Sequence, residues 1–401
     1  MKKYSTRFNK LFFALLVLSL CTFAKVTALD DETLTFNPVL TQVPSLTIAP
    51  DARGGGMGDV GAASTADIYS QHWNPSKYAF AYSKGGVGLS YTPWLRKLVG
   101  DMYMLYASGY YKPGDSDLQA IGASMRYFSM GDIPLTFAEG PPPGISLSPY
   151  DMAFDLSYSR KLGERFAGGV ALRYIHSDLG IDQSEGRVPG NAFGADISGY
   201  YTDYVMLGSN ECQVGFGFNI SNIGSKISFG EERSYFIPTN LRLGGSFYFP
   251  FDQYNMMSLN VDLNKLLVPT PPKKTGGTTP EESADYQEKL DKYYDTSSIS
   301  GIFKSFADSP SGFKGEMQEI SVSVGAEYSY RDMFLVRAGY YYEHPNQGNR
   351  KYFTMGAGFR MSIFQLDAAY LISTVPSNPL DQTLRFTLGF DMEGLRELFR
   401  R

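Results

Sequence analysis

The sequence predicts an all-β membrane protein: a 14-stranded antiparallel outer-membrane β-barrel with an N-terminal plug, or hatch. Three observations predict it. The 401 residues include 29 Tyr, 28 Phe and 42 Gly but only two Cys and three His. That composition suits strands with aromatic girdles and excludes a disulfide framework or a Cys-rich metal site. From residue 85 onward, apolar and polar residues alternate along segment after segment. The links between those segments switch between tight and long, an asymmetry expected of outer-membrane barrels. The formal net charge of −5 gives no general attraction to nucleic acid, so no nucleic-acid partner is expected.

Residues 1–28 read as an export signal. Lys2, Lys3, Arg7 and Lys10 form a basic start, Leu11 to Phe23 an apolar run too short for a membrane helix, and Val26-Thr27-Ala28 a cleavage site. The competing reading is a lipoprotein signal acylated at Cys21, but Leu20 stands where a small residue is usual. No later apolar run is long enough for a membrane helix.

Residues 29–84 are too long for a tail and are expected to fold into the lumen as a periplasmic or plug segment. They contain Gly56-x-Gly58-x-x-Gly61, the spacing of a dinucleotide-binding loop. That loop needs a buried strand before it and a helix after it. Here Pro50 interrupts the first, and the second has room for about two turns before Asn74-Pro75. The glycines are instead expected to allow tight turns and close packing against a barrel wall. Arg53, Gly54, Gly55, Gly56, Gly58, Asp59, Gly61, Trp73, Asn74 and Pro75 are the expected packing residues, and no cofactor is expected.

Residues 85–392 form the barrel. In Tyr150 to Lys161, Tyr150, Met152, Phe154, Leu156 and Tyr158 oppose Asp151, Ala153, Asp155, Ser157 and Ser159, and the same parity recurs in the other strands. The apolar faces often end in Tyr or Phe, as a lipid-facing band with interfacial rings requires. The fourteen segments are 85–94, 101–111, 118–130, 150–162, 166–179, 191–202, 212–222, 236–249, 253–264, 317–330, 333–343, 352–361, 363–373 and 381–392. The link 203–211 is the weakest of the tight set, at nine residues. Parity places Asp151, Asp155, Asp262, Glu327, Asp367, Arg337, Arg360 and Arg385 in the lumen, where paired charges brace the interior. An even strand count puts the termini and tight turns in the periplasm and the long loops outside.

Among those loops, 265–316 is the largest, with a helix beginning near Pro280. Partner-binding candidates are Tyr286, Tyr293 and Phe303 in it, Pro141, Pro142 and Pro143 in a stiffened loop, and Trp94, Arg96 and Lys97 in the first loop. Trp94 with its two bases also reads as an interfacial anchor. Residues 393–401 are a short periplasmic tail. His72, His176 and His344 lack metal-ligand spacing, and no Gly-x-Ser-x-Gly or P-loop is present, so no catalytic or metal site is expected.

The stretches "IAPDARGGGMGDVGAASTADIYSQHWNPSKYAF" and "GVGLSYTPWLRKLV" resemble the PorV (LptO) family, outer-membrane components of the bacterial type IX secretion system. The resemblance implies a shuttle. It would bind cargo proteins by their C-terminal signal domain at the translocon and deliver them to a sortase-like attachment complex. More distantly the chain looks like the FadL class of barrels, which implies the alternative of transporting hydrophobic small molecules. Fold analogy is a weak warrant for that alternative.

Overall fold

The computed structural model describes residues 37–95, 100–114, 117–134, 146–180, 188–230, 233–273, 280–361, 363–375, 378 and 380–392. The expected signal at 1–28, Arg96, Lys97, Pro141, Pro142, Pro143 and the tail 393–401 lie outside them.

Alternating side chains build fourteen strands. They are β1 Gly85–Pro93, β2 Tyr103–Tyr111, β3 Gln119–Ser129, β4 Tyr150–Lys161, β5 Phe166–Asp178, β6 Gly190–Leu207 and β7 Asn210–Gly224. The second half comprises β8 Asn240–Pro250, β9 Asn255–Leu266, β10 Ser321–Tyr330, β11 Phe334–Tyr342, β12 Lys351–Arg360, β13 Phe364–Ser373 and β14 Leu384–Asp391. Each pairs antiparallel with its sequence neighbours, and β1 closes on β14 from Gly86↔Asp391 to Tyr91↔Phe386. Closure leaves no edge, which hydrocarbon requires because it offers the backbone no hydrogen-bond partner.

Three boundaries differ most from the sequence expectation. The link 203–211 is a hairpin turn at Gly208-Ser209, with Gly208 at φ +68°. Tyr204, Val205, Met206 and Leu207 are all exposed there, so both faces of the strand end meet one environment and no alternation marks it. β8 begins after Pro238, which has no N–H for a ladder. β10 begins at Ser321 because a short helix occupies the preceding residues.

Parity sorts the wall. Val87 and Leu89 of β1 are exposed outward while Ser90 and Thr92 are buried inward. Outward rings form two girdles. Near the long loops, Tyr91, Tyr103, Tyr127, Tyr150 and His176 follow one another with centroids 5.5–6.2 Å apart. At the tight-turn end, Tyr201 pairs with Phe216 and Phe334 with Phe359. Among the described residues no helix is long and apolar enough to cross a membrane.

Candidate functional site

The segment ahead of β1 lies in the lumen. It starts at the long-loop end, where the Asn37 N–H donates to the Asn346 carbonyl (3.1 Å) and the Gln42 N–H to the Phe236 carbonyl (2.9 Å). It leaves at the tight-turn end, where the Ser83 hydroxyl donates to Asp391 (2.7 Å).

Between these ends the chain forms two single helical turns, α1 Ala52–Gly55 and α2 Ser70–Trp73, and two 3-10 turns, Pro44–Thr47 and Pro75–Phe80. Asp51 caps α1, accepting the Gly54 N–H (2.8 Å) and the Trp73 indole N–H (2.6 Å). Asn74 caps the second 3-10 turn by accepting the Ser76 N–H (3.1 Å), with Pro75 at its first position. The Asn74 amide also donates to the Ala62 and Gly199 carbonyls, tying plug to wall. Trp73 is 2% exposed and lies against Gly54 and Gly61, where any Cβ would collide with its ring. The wall yields in the same way: a Cβ at Gly325 or Gly339 would strike Met57, and one at Gly217 would strike the Ala62 carbonyl. Gly58, at φ +75°, reverses the chain beside the Tyr340 backbone and donates to Thr354 (2.8 Å). The glycine spacing therefore serves turns and close approach; among the described residues there is no strand before it.

Charge fixes the same interface. Arg53 donates to both oxygens of Glu327 (3.2 and 3.0 Å) and to Asp67 (2.9 Å). Arg337 bridges Glu327 and Asp367 at 2.6 Å each, and Arg385 faces Asp59 at 3.2 Å. Asp262 accepts the Gly61 and Ala62 N–H groups (2.8 and 2.9 Å). Burial, with Asp67 nearby, pushes the Asp51 carboxyl up to about 6. Burial pushes Lys77 down to about 8, against the pull of Asp67; its ammonium donates to the Gly61 carbonyl (2.7 Å) and Ser64 (3.1 Å). The ten expected packing residues thus meet on one plug, most of them in direct contact with a strand or with Trp73.

The loop candidates separate. The connection between β9 and β10 folds as α3 Pro280–Asp295, α4 Ser298–Lys304 and α5 Gly312–Gln318. Lys265 on β9 donates to Glu316 (2.9 Å) and Glu319 (2.5 Å), and Thr270 donates to Asp308. These three carboxylates converge closely enough to suggest a cation, but the lysine already supplies one. Tyr293 packs edge-on against Phe236 of the neighbouring loop (5.4 Å), and Tyr286 is half-buried. Phe303 is 75% exposed, and Ile299, Phe306, Phe313 and Met317 on the same connection are exposed too. Those four had no signal in the sequence, because seven-residue helices give too little periodicity to read. Trp94 turns inward instead of anchoring in lipid: its N–H donates to the Met102 carbonyl and its ring packs on Phe128 and Met104.

A closed sheet, apolar outside between aromatic girdles, polar within, and filled by its own N-terminal segment, defines an outer-membrane barrel with a built-in plug. The chain belongs to a secretion family within that class: residues 31–273 match the family described as Type IX secretion system protein PorV. A search of curated proteins finds no match. Among solved structures, the Pseudomonas putida toluene transporter TodX is similar at 10% identity over 86% of this chain and 98% of that one, with a TM-score of 0.49. A Pseudomonas aeruginosa FadL homologue is similar at 11% identity over 89% and 99%, with a TM-score of 0.42. The Ralstonia pickettii toluene transporter TbuX is similar at 10% identity over 87% and 98%, with a TM-score of 0.40. Likeness at that distance says nothing about what this barrel binds.

Proposed function

We propose that this protein is an outer-membrane shuttle of type IX secretion. It takes cargo by the C-terminal signal domain at the translocon and presents it to the surface attachment complex through its long-loop end. The observation that carries this reading is the helical cap between β9 and β10. Its residues Ile299, Phe303, Phe306, Phe313 and Met317 are 50–81% exposed and sit on the loop, not on the lipid-facing wall. A cluster of that kind marks a partner surface. The plug favours binding outside over passage through the lumen, since it packs against wall glycines on β7, β10 and β11. The tight-turn end then faces the periplasm and the cap faces out.

Replacing residues 280–318 by a short Gly-Ser bridge tests the reading. The barrel should still reach the outer membrane in heat-modifiable form, while cargo recovered with it falls at least tenfold. Undiminished cargo recovery would refute the cap as the docking element.

A further inference from the structure

Between the plug and the long-loop mouth lies a cavity of about 110 Å³, lined by Ile48, Trp73, Trp94, Arg242, Leu371 and Leu380 among others. Its chemistry is unbalanced at one point. Arg242 reaches in from β8 and is 9% exposed. Its Nε donates to the Asn264 side chain (2.8 Å), and its guanidinium lies 4.5 Å from the centre of the Trp73 ring. Its Nη1 is buried without a hydrogen-bond partner. The other cations lining the cavity have carboxylates: Arg350 has Glu343 at 2.7 Å, and Arg385 has Asp59 at 3.2 Å. Among the described residues no carboxylate lies within ion-pair distance of Arg242.

A buried guanidinium N–H left without an acceptor is costly. A guanidinium placed over an indole, with its Nε tied back to an amide, has N–H groups left in a planar fork that matches a carboxylate. Ile48, Leu371 and Leu380 supply an apolar part of the lining, and the acids that share it, Asp59, Glu319 and Glu343, each already face another cation. We propose that Arg242 is the anchor of a binding site for a single carboxylate carried on a short apolar group. The free acid of a small molecule and the C-terminal carboxylate of a peptide share that chemistry. Arg242 lies on β8, and of the lining only Glu319 belongs to the connection between β9 and β10 among the described residues, so the titration below does not depend on cargo docking at the cap.

The protein supplies its own reporter. It has two tryptophans in all, Trp73 and Trp94, and both line the cavity. The full-length barrel, purified in non-ionic detergent, would be titrated with butyrate, with butanol as the neutral match. A second pair is a short apolar peptide with a free C-terminus and the same peptide amidated. Saturable change in tryptophan emission with an acid but not with its neutral match is expected. Butyrate alone points to a small-molecule acid, and the free peptide alone to a chain terminus. R242M should raise the midpoint at least tenfold. R242K, which keeps the charge but not the fork, should fall between them and serves if R242M fails to fold. Equal responses to acid and neutral match, an unchanged midpoint in R242M, or no saturable response to either acid would overturn the proposal.

Discussion

Glu327 is where wall and plug depend most on one side chain. Arg53 from the plug and Arg337 from β11 both donate to it, and all three side chains are at most 7% exposed. Removing its charge leaves two buried guanidiniums short of a counter-ion. Breaking one partner of such a network costs about 3–5 kcal/mol. E327Q should therefore lower the temperature at which the folded band converts to the unfolded one on electrophoresis, without changing the amount inserted. Lys77 gives a pH signature. Its plug-bound pKa, near 8, lies below the ordinary 10.5. Between those values the native state holds fewer protons than the unfolded chain, so stability rises with pH across the window. Below about 8 the ammonium is charged in both states and the burial cost is felt in full. Melting temperature should climb from pH 8 to 10, and K77M should lose that climb; a wild-type profile that is flat or falling would contradict it.

At the scale of elements, the cap is tied down at two places: α3 by Arg233 on Asp291 and by Tyr293 on Phe236, and the return to β10 by Lys265. Glu316 and Glu319 meet on Lys265, and Asp308 lies close beside them. Burial holds the Asp308 and Glu319 carboxyls above their ordinary range, so they tolerate little loss of positive charge. K265M should let the carboxylates repel and loosen the return to β10, and limited proteolysis within 305–320 should speed up at least tenfold while the strands stay resistant. Elements differed in how legible they were. α3 announced itself through Pro280 and the acidic residues after it, and it spans Pro280–Asp295. The strands were legible because lipid and lumen impose opposite demands on alternate residues. Where both faces meet one environment, at Tyr204 to Leu207, that signal vanished and a two-residue turn was read as a nine-residue link. The lumen charges could be assigned inward by parity alone. Their partners could not, because Arg53–Glu327 joins residues 274 apart and depends on how the plug seats.

For the whole molecule, the plug and the cap divide the work. Trp73, Asp51 and the wall glycines fill the lumen, while Phe303 and its apolar neighbours stand clear of the wall at the long-loop end. The proposed shuttle therefore carries cargo with the barrel in the plane of the membrane, not through it. The glycine-rich stretch was legible as packing material, but the exposure of Phe306, Phe313 and Met317 needed the fold to be seen. The direct measurement is site-specific photo-crosslinking in living cells, with the photoreactive residue placed at Phe303 or Phe313 and, for comparison, at the lumen position Trp73. Adducts with the C-terminal domain of a secreted cargo at the two cap positions, and none at Trp73, are the predicted result. Cargo adducts at Trp73 with none at either cap position would contradict the account.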